Sequence, residues 1–189
     1  MMTKNAKWQT QAKRLIDFPG KIFAQISKVF YNHTMTFRIP TFQKQFSTVF
    51  AASLLLVVAD LFTKNLAFQT LQSGYSIIDN FFKLQYQQNF GIAFSLPLPY
   101  WLIIAINIIL LVAIIYLADR ELNLKHPAAR FAVTFLIAGA LGNLTDRLLG
   151  GYVIDFIEIW RWPAFNLADA YITIGVLLIL LFYGKINRK

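Results

Sequence analysis

This chain of 189 residues contains no cysteine and only two histidines, His33 and His126. The absence of cysteine excludes disulfides, thiolate nucleophiles, Cys-ligated metals and a lipid-modified cysteine within the chain itself. Charge is also scarce, because charged residues make up 14% of the sequence whereas hydrophobic residues make up 57%. A soluble domain of this length rarely has such a composition, which therefore favours an integral membrane protein.

Long apolar runs account for this composition. A helix of about 20 residues crosses the roughly 30 Å hydrocarbon core of a bilayer, at about 1.5 Å per residue. The first run begins too far from Met1 and is too long for a secretory signal peptide, so we expect it to be a retained span. The four predicted spans are residues 46–66, 98–118, 129 to about 145, and about 166 to 183.

The lysines and arginines predict the orientation of these spans. Of the 18 basic residues, eight precede the first span, three lie between the second and third or at the start of the third, and three follow the fourth. Cytoplasmic loops carry the excess of basic residues, so we expect both termini in the cytoplasm. The net charge of +9 is then explained by topology and by contact with anionic lipid, and no nucleic-acid-binding motif is present.

Residues 1–45 are predicted to form a basic N-terminal cytoplasmic extension, separate from a four-span domain of residues 46–189. Ile22, Phe23, Ile26, Val29 and Phe30 recur at the spacing of one helix face. This pattern is typical of an amphipathic helix in the headgroup layer. An irregular tail is the alternative.

The two outer connections carry strand patterns. Phe82, Leu84 and Tyr86 alternate with polar residues, which predicts a short strand or hairpin with Gly91 as a bend or bulge. In the second connection, GGYVIDF (150–156) is typical of a turn followed by a strand. The predicted fold is therefore an all-α integral membrane protein with four transmembrane helices and a small outer-side β element.

Acidic residues concentrate near one depth of the predicted membrane domain. Residues 142–169 hold four of the nine acids in the chain. An aspartate 16 residues from an inner-side base lies about 24 Å along a straight helix, just below the outer surface. The pairs with this spacing are Lys44 and Asp60, Arg130 and Asp146, and Asp169 and Lys185.

These acids fall into two groups, those with a basic residue nearby in sequence and those without an adjacent one. Asp146 precedes Arg147 directly, and Asp60 lies four residues before Lys64, so each is expected to pair with a base and join spans together. Asp155 and Asp169 have no adjacent base and are the expected chemical pair. Intramembrane carboxylates are functional candidates in general, because each costs about 2.5 to 3.5 kcal/mol on insertion scales.

Two neighbouring carboxyl groups share one proton, since both cannot ionise at close range. Such a pair activates water against a carbonyl carbon and protonates the leaving amine. A Ser-His-Asp triad is disfavoured because both histidines lie on the inner side, and the HExxH zinc motif is absent. A Ser-Lys pair, such as Ser95 with Lys83, and a carboxylate-only metal site remain open.

Four motifs carry a resemblance to a known family: DLFTK (60–64), NFGIAFS (89–95), GNLTDRLLGGYVIDFI (142–157) and FNLADAYITIG (165–175). In this order and spacing they resemble the lipoprotein signal peptidases, or signal peptidase II. The family consists of four-span inner-membrane aspartic proteases that cut bacterial prolipoproteins before a diacylglyceryl-modified cysteine. One departure is Leu61, where the family usually has glutamine.

The resemblance implies that Asp155 and Asp169 are the catalytic dyad, near the outer face of the bacterial inner membrane. It implies a monomer whose partners are a lipid-modified prolipoprotein and membrane lipid, with no nucleic acid, no cofactor and no metal. A small proton-coupled transporter or channel, or an inactive scaffold, are the alternative functions. The supporting or substrate-binding residues that the resemblance implies are Asp60, Lys64, Asn89, Gly91, Asn143, Asp146, Arg147, Asn166 and Ala168.

Overall fold

A computed structural model of the chain describes residues 44–91 and 98–188. The predicted amphipathic segment in the N-terminal extension lies outside these residues, so the division into residues 1–45 and 46–189 stays a prediction. In chain order the elements described are α1 (Phe46–Thr70), β1 (Tyr75–Ile78), β2 (Phe82–Asn89), α2 (Tyr100–Glu121), α3 (Pro127–Gly150), β3 (Val153–Ile159) and α4 (Leu167–Ile186).

All four helices of the described residues are long and apolar enough to cross a membrane, which confirms the predicted fold class. The largest difference from the predicted bounds is at the end of α3, which continues past residue 145 to Gly150. Asp146 and Arg147 extend the helix because both find polar partners inside the protein. Gly151 then ends it with a left-handed φ of 79°, a conformation that glycine adopts without steric cost.

Helix α3 lies at the centre of the bundle. Of its most apolar stretch, 67% is buried within the protein, against 28% for α1 and 11% each for α2 and α4. It packs against all three other helices. The outer helices expose large apolar side chains such as Leu55 and Leu181, as expected where lipid replaces water around the protein.

Small residues allow α3 to approach its neighbours closely. A Cβ atom on Gly139 would lie 2.3 Å from the carbonyl oxygen of Ala168 on α4. A Cβ atom on Gly142 would lie 2.5 Å from Oδ2 of Asp60 on α1. Close backbone contact of this kind supports helix association in membranes, where packing takes the place of the hydrophobic effect.

The two ends of the bundle differ in character. One end is closed by an apolar cluster that includes Phe46 at the start of α1, Leu122 after α2, Ala129 near the start of α3 and Ile186 at the end of α4. The opposite end carries the strands. The residues that open α1 and close α4 therefore lie at the same end of the bundle.

The three strands form one antiparallel sheet in the order β1-β2-β3. β2 is the predicted alternating strand, and the turn before β3 is the predicted GGYVIDF turn. The β2–β3 register shifts between Leu84 and Gln87, so that β2 has one residue more than β3 across this stretch. Within the bulge, the Tyr86 amide N–H donates to the carbonyl of Leu71 at the end of α1 (3.0 Å) and ties the sheet to the bundle.

Candidate active site

Asp155 lies on β3, opposite Gln87 at the edge of the bulge in β2. Bulges bend a strand and redirect its side chains, and they are frequent beside active sites. Asp155 is only 3% exposed, yet each of its carboxylate oxygens has a donor. Asn89 donates to Oδ2 at 2.9 Å, and Asn166 donates to Oδ1 at 2.7 Å.

Asp169 lies in the first turn of α4 and takes part in a reciprocal capping box. The Asp169 N–H donates to the side chain of Asn166 at 2.9 Å, and the Asn166 N–H donates back to Oδ2 of Asp169 at 3.3 Å. A carboxylate in this position satisfies a helix-terminal donor and is stabilised by the helix dipole. Asn143 on α3 donates a further bond to Oδ1 at 2.8 Å.

Asn166 brings the two aspartates together. Its side-chain amide contacts Asp155, while its backbone N–H contacts Asp169. An isolated bridge between Ile157 and Phe165 pins the preceding loop to β3. Asn166 is 0% exposed and Asp155 is buried, whereas Asp169 is half-buried.

Lys64 joins three polar residues of α1 and α3, and we call the connected polar residues of the site the polar layer. Its ammonium group lies 2.7 Å from Asp60 and 3.0 Å from Asp146, and it donates to Oδ1 of Asn143 at 3.1 Å. The side chain is 1% exposed, and its three partners match the three donors of an ammonium group. Asp60 also accepts the N–H of Ala168 at 2.9 Å, which attaches α1 to the start of α4.

The expected pairing of Asp146 with Arg147 is wrong. Adjacent residues point about 100° apart around a helix, so the two side chains diverge. Asp146 instead pairs with Lys64 and accepts the N–H of Ile154 at 3.1 Å. Asp146 therefore joins α3 to α1 and to β3, through partners that adjacency in sequence does not reveal.

Arg147 holds the loop after β2 against α3. Its guanidinium donates to the carbonyl of Gly91 at 3.1 Å and to the carbonyl of Asn143 at 3.3 Å. It also interacts electrostatically with Asp169, Asp155 and Asp146. A buried guanidinium therefore offsets part of the negative charge of the site.

The structure connects the three aspartates that were predicted to share one depth. Asp60 and Asp146 share the ammonium group of Lys64, and Asn143 connects that group to Asp169. All eleven residues named from the sequence belong to this connected region. Tyr100, whose hydroxyl donates to the carbonyl of Arg147 at 2.5 Å, was missed. No signal separates it from other aromatic residues at span ends, where tyrosine is common.

Asp155 is electrostatically unusual. Burial raises the pKa of its carboxyl from 3.8 to about 6, and the nearby charge of Asp169 adds to the effect. The hydrogen bonds from the side chains of Asn89 and Asn166 lower the pKa of Asp155, and so does the charge of Lys64. Asp155 therefore binds a proton far more readily than an exposed aspartate does.

The serine and lysine side chains considered as alternative catalytic groups form hydrogen bonds elsewhere. The Ser53 hydroxyl is buried, and its single proton points between the carbonyl oxygens of Val49 and Thr134, at 2.9 and 3.1 Å. Lys83 donates to Gln85, and its proposed partner Ser95 lies outside the described residues. Within residues 44–91 and 98–188, no three or more His, Asp or Glu side chains are grouped as metal ligands.

A model of the family described as signal peptidase (SPase) II matches residues 51–184. The chain belongs to the signal peptidase II family. It is 38% identical over 143 residues to a lipoprotein signal peptidase from Francisella tularensis subsp. novicida (strain U112), covering 69% of this chain and 88% of that relative. It is 40% identical over 130 residues to one from Moorella thermoacetica (strain ATCC 39073 / JCM 9320), covering 67% and 86%.

The chain is also similar to a solved structure. It is described as a bacterial membrane enzyme studied by the in meso method at 2.3 Å resolution. Its TM-score is 0.64 at 31% identity, and the match covers 74% of this chain and 88% of that one. The chain is thus a multi-pass inner-membrane protease of the signal peptidase II family, and the family match includes every residue of the polar layer.

Proposed function

We propose that this protein is an aspartic endopeptidase that removes signal peptides from bacterial prolipoproteins and cleaves before the diacylglyceryl-modified cysteine. The observation that carries the proposal is the junction at Asn166, which bonds to both Asp155 and Asp169. Two carboxyl groups placed in this way share a proton and need no covalent intermediate. The family assignment supports the lipoprotein substrate.

The proposed reaction uses both aspartates twice. One carboxylate removes a proton from water as the water oxygen attacks the scissile carbonyl carbon, and the other carboxyl group gives its proton to the carbonyl oxygen. The resulting gem-diol then collapses. The first carboxyl group protonates the leaving nitrogen, the second recovers a proton from a hydroxyl group, and the products are a carboxylic acid and an amine.

The site also suits the physical form of such a substrate. A diacylglyceryl group is stable in lipid, whereas the mature peptide continues into the outer aqueous phase. The dyad lies where the helices meet the sheet, at the opposite end of the bundle from the apolar cluster. With the termini in the cytoplasm, this end faces the outer side, where the substrate bond lies. We propose that the protein acts there as a monomer.

Mass analysis of the products tests the specificity. The purified protein in detergent is incubated with a diacylglyceryl-modified prolipoprotein and with the same polypeptide carrying no lipid. We expect one cut, which leaves the lipidated cysteine as the new N-terminus, and a rate on the unmodified chain lower by at least about 100-fold, equal to about 2.7 kcal/mol. Equal cleavage of both substrates, or a cut elsewhere, would contradict the assignment.

A further inference from the structure

Each aspartate of the dyad receives a bond from an asparagine whose own carbonyl oxygen is held by another donor. Asn143 donates to Asp169 at 2.8 Å, and its Oδ1 accepts the Lys64 ammonium at 3.1 Å. Asn89 donates to Asp155 at 2.9 Å, and its Oδ1 accepts the Gly91 amide N–H at 3.0 Å. We call the hydrogen bonds from Lys64 through Asn143 to Asp169 the ammonium relay. We call those from Gly91 through Asn89 to Asp155 the amide relay.

The direction of each relay follows from its first donor. An ammonium group and a backbone N–H can donate but cannot accept. Each asparagine must therefore turn its oxygen toward that donor and its NH₂ group toward the carboxylate. The Oδ1 of Asn143 also accepts a bond from the Asn166 side chain at 3.2 Å, so two donors hold this orientation, and Lys64 is the charged one.

The two relays differ in charge. The ammonium relay begins with a full positive charge, and the amide relay begins with a neutral dipole. A donor polarised by a cation in a buried site stabilises an anion more strongly than a neutral one does. Asp169 also lies at the positive end of the α4 dipole, whereas Asp155 lies on a strand and is almost fully buried.

We propose that this difference makes Asp169 the general base and Asp155 the general acid, with Lys64 acting through Asn143 as a positioning residue. The proposal rests on the proposed function, since it divides the roles within the same dyad. Asp169 then takes the proton from water, and Asp155 gives its proton to the carbonyl oxygen.

Lys64 also acts electrostatically on Asp155, so the asymmetry lies in the hydrogen bonds that connect Lys64 to Asp169 through Asn143. Arg147 interacts with Asp155 and with Asp169, so it stabilises both as anions. The negative charges of Asp60 and Asp146 are both adjacent to Lys64. The groups that face the dyad are Asp60 and Lys64 from α1, Asp146 and Arg147 from α3, and the two aspartates themselves from β3 and α4.

Two isosteric substitutions test the assignment. Asn143→Asp places a carboxylate against the proposed base, which must then share a proton and cannot accept one from water. We expect kcat/KM to fall at least about 100-fold at neutral pH, the size of a general-base contribution. Asn89→Asp places a carboxylate against the proposed acid, which can donate to it. Here we expect a loss below about tenfold and an alkaline limb of the pH profile about one unit higher.

The role of the charge on Lys64 is tested by a double variant that leaves the net charge of the protein unchanged. Lys64→Gln with Asp60→Asn removes one charge of each sign and retains a donor at position 64. We expect the acid limb of the kcat/KM profile to move to higher pH by about one unit, a tenfold change in the protonation equilibrium. The single variant Lys64→Arg keeps the charge and the donors. Its acid limb should therefore stay at the wild-type pH.

The outcomes separate the two proposals. Loss of cleavage in both Asp155→Asn and Asp169→Asn supports the dyad itself. If the dyad holds but Asn89→Asp is the more damaging isosteric change, or the two lose activity equally, the division of roles is wrong. An unchanged acid limb in the Lys64 double variant overturns the role of the ammonium relay, and it does so even if Asn143→Asp fails to fold.

Discussion

At the scale of single residues, Asp155 links the local environment to the chemistry most directly. Burial and the neighbouring charge of Asp169 raise the pKa of Asp155 to about 6. A group that acts as a proton donor is competent below its pKa and loses its proton as the pH rises through that value. The sign of the effect therefore predicts that activity declines on the alkaline side.

We expect kcat/KM of the detergent-solubilised protein to fall as the pH rises above about 6, approaching tenfold per pH unit. Initial cleavage rates at low substrate concentration, measured across the pH range in buffers of equal ionic strength, give the profile. A kcat/KM that stays constant or increases with pH through this range would show that Asp155 does not supply the proton.

At the scale of elements, the axial position of each residue could be predicted, but its direction around the helix could not. Equal spacing from an inner base placed Asp60, Asp146 and Asp169 at one depth, and the structure brings them together there. Their partners depend on how each helix is rotated and on its neighbours. For this reason the salt bridge between Lys64 and Asp146 was not predicted, and Arg147 was wrongly chosen as the partner of Asp146.

The sheet shows the same limit. Alternation in sequence predicted β2, and a glycine turn predicted β3. The pairing of β2 with β3, the shift near Leu84 and the extra strand β1 depend on contacts between distant parts of the chain. Asn89 reaches Asp155 only because these two strands are neighbours, so the amide relay could not be derived from spacing alone.

Helix packing gives a prediction with an internal control. Gly139→Ala forces a methyl group against the Ala168 carbonyl oxygen and Ile172 of α4, with no free space to receive it. Gly184→Ala, also in a helix, adds a methyl group with nothing within 4 Å apart from its chain neighbours and the backbone of its own helix. We expect the first to lower the free energy of unfolding by about 1 to 3 kcal/mol. We expect the second to be neutral or to stabilise by up to about 1 kcal/mol.

Thermal unfolding of both variants in the same detergent provides the comparison. A Gly139→Ala protein as stable as the wild type would show that α3 and α4 do not pack as closely as described. Destabilisation of equal size in both variants would instead point to a general effect of alanine, unrelated to helix contact.

At the scale of the whole molecule, the absence of cysteine makes the orientation simple to test. Asp79 lies at the exposed turn between β1 and β2, and Lys125 lies exposed between α2 and α3, at the other end of the bundle. We expect Asp79→Cys to react with a membrane-impermeant thiol reagent in intact spheroplasts. Lys125→Cys should react only after the membrane is permeabilised. The reverse pattern would place the dyad on the cytoplasmic side.

The central claim is that Asp155 and Asp169 together cut the substrate. The most direct measurement is the initial rate of cleavage of a diacylglyceryl-modified prolipoprotein by purified wild type, Asp155→Asn, Asp169→Asn and Glu158→Gln. Glu158 is the matched control, since it is an acid on β3 that accepts a bond from Gln87 at 3.3 Å and has no contact with the dyad's asparagines in the structure described.

We expect each aspartate variant to lose at least about 100-fold in rate, while Glu158→Gln stays within about threefold of the wild type. All four proteins should have similar unfolding temperatures, so that any loss reports chemistry and not folding. If either folded aspartate variant cleaves at the wild-type rate, the dyad is not the catalytic centre.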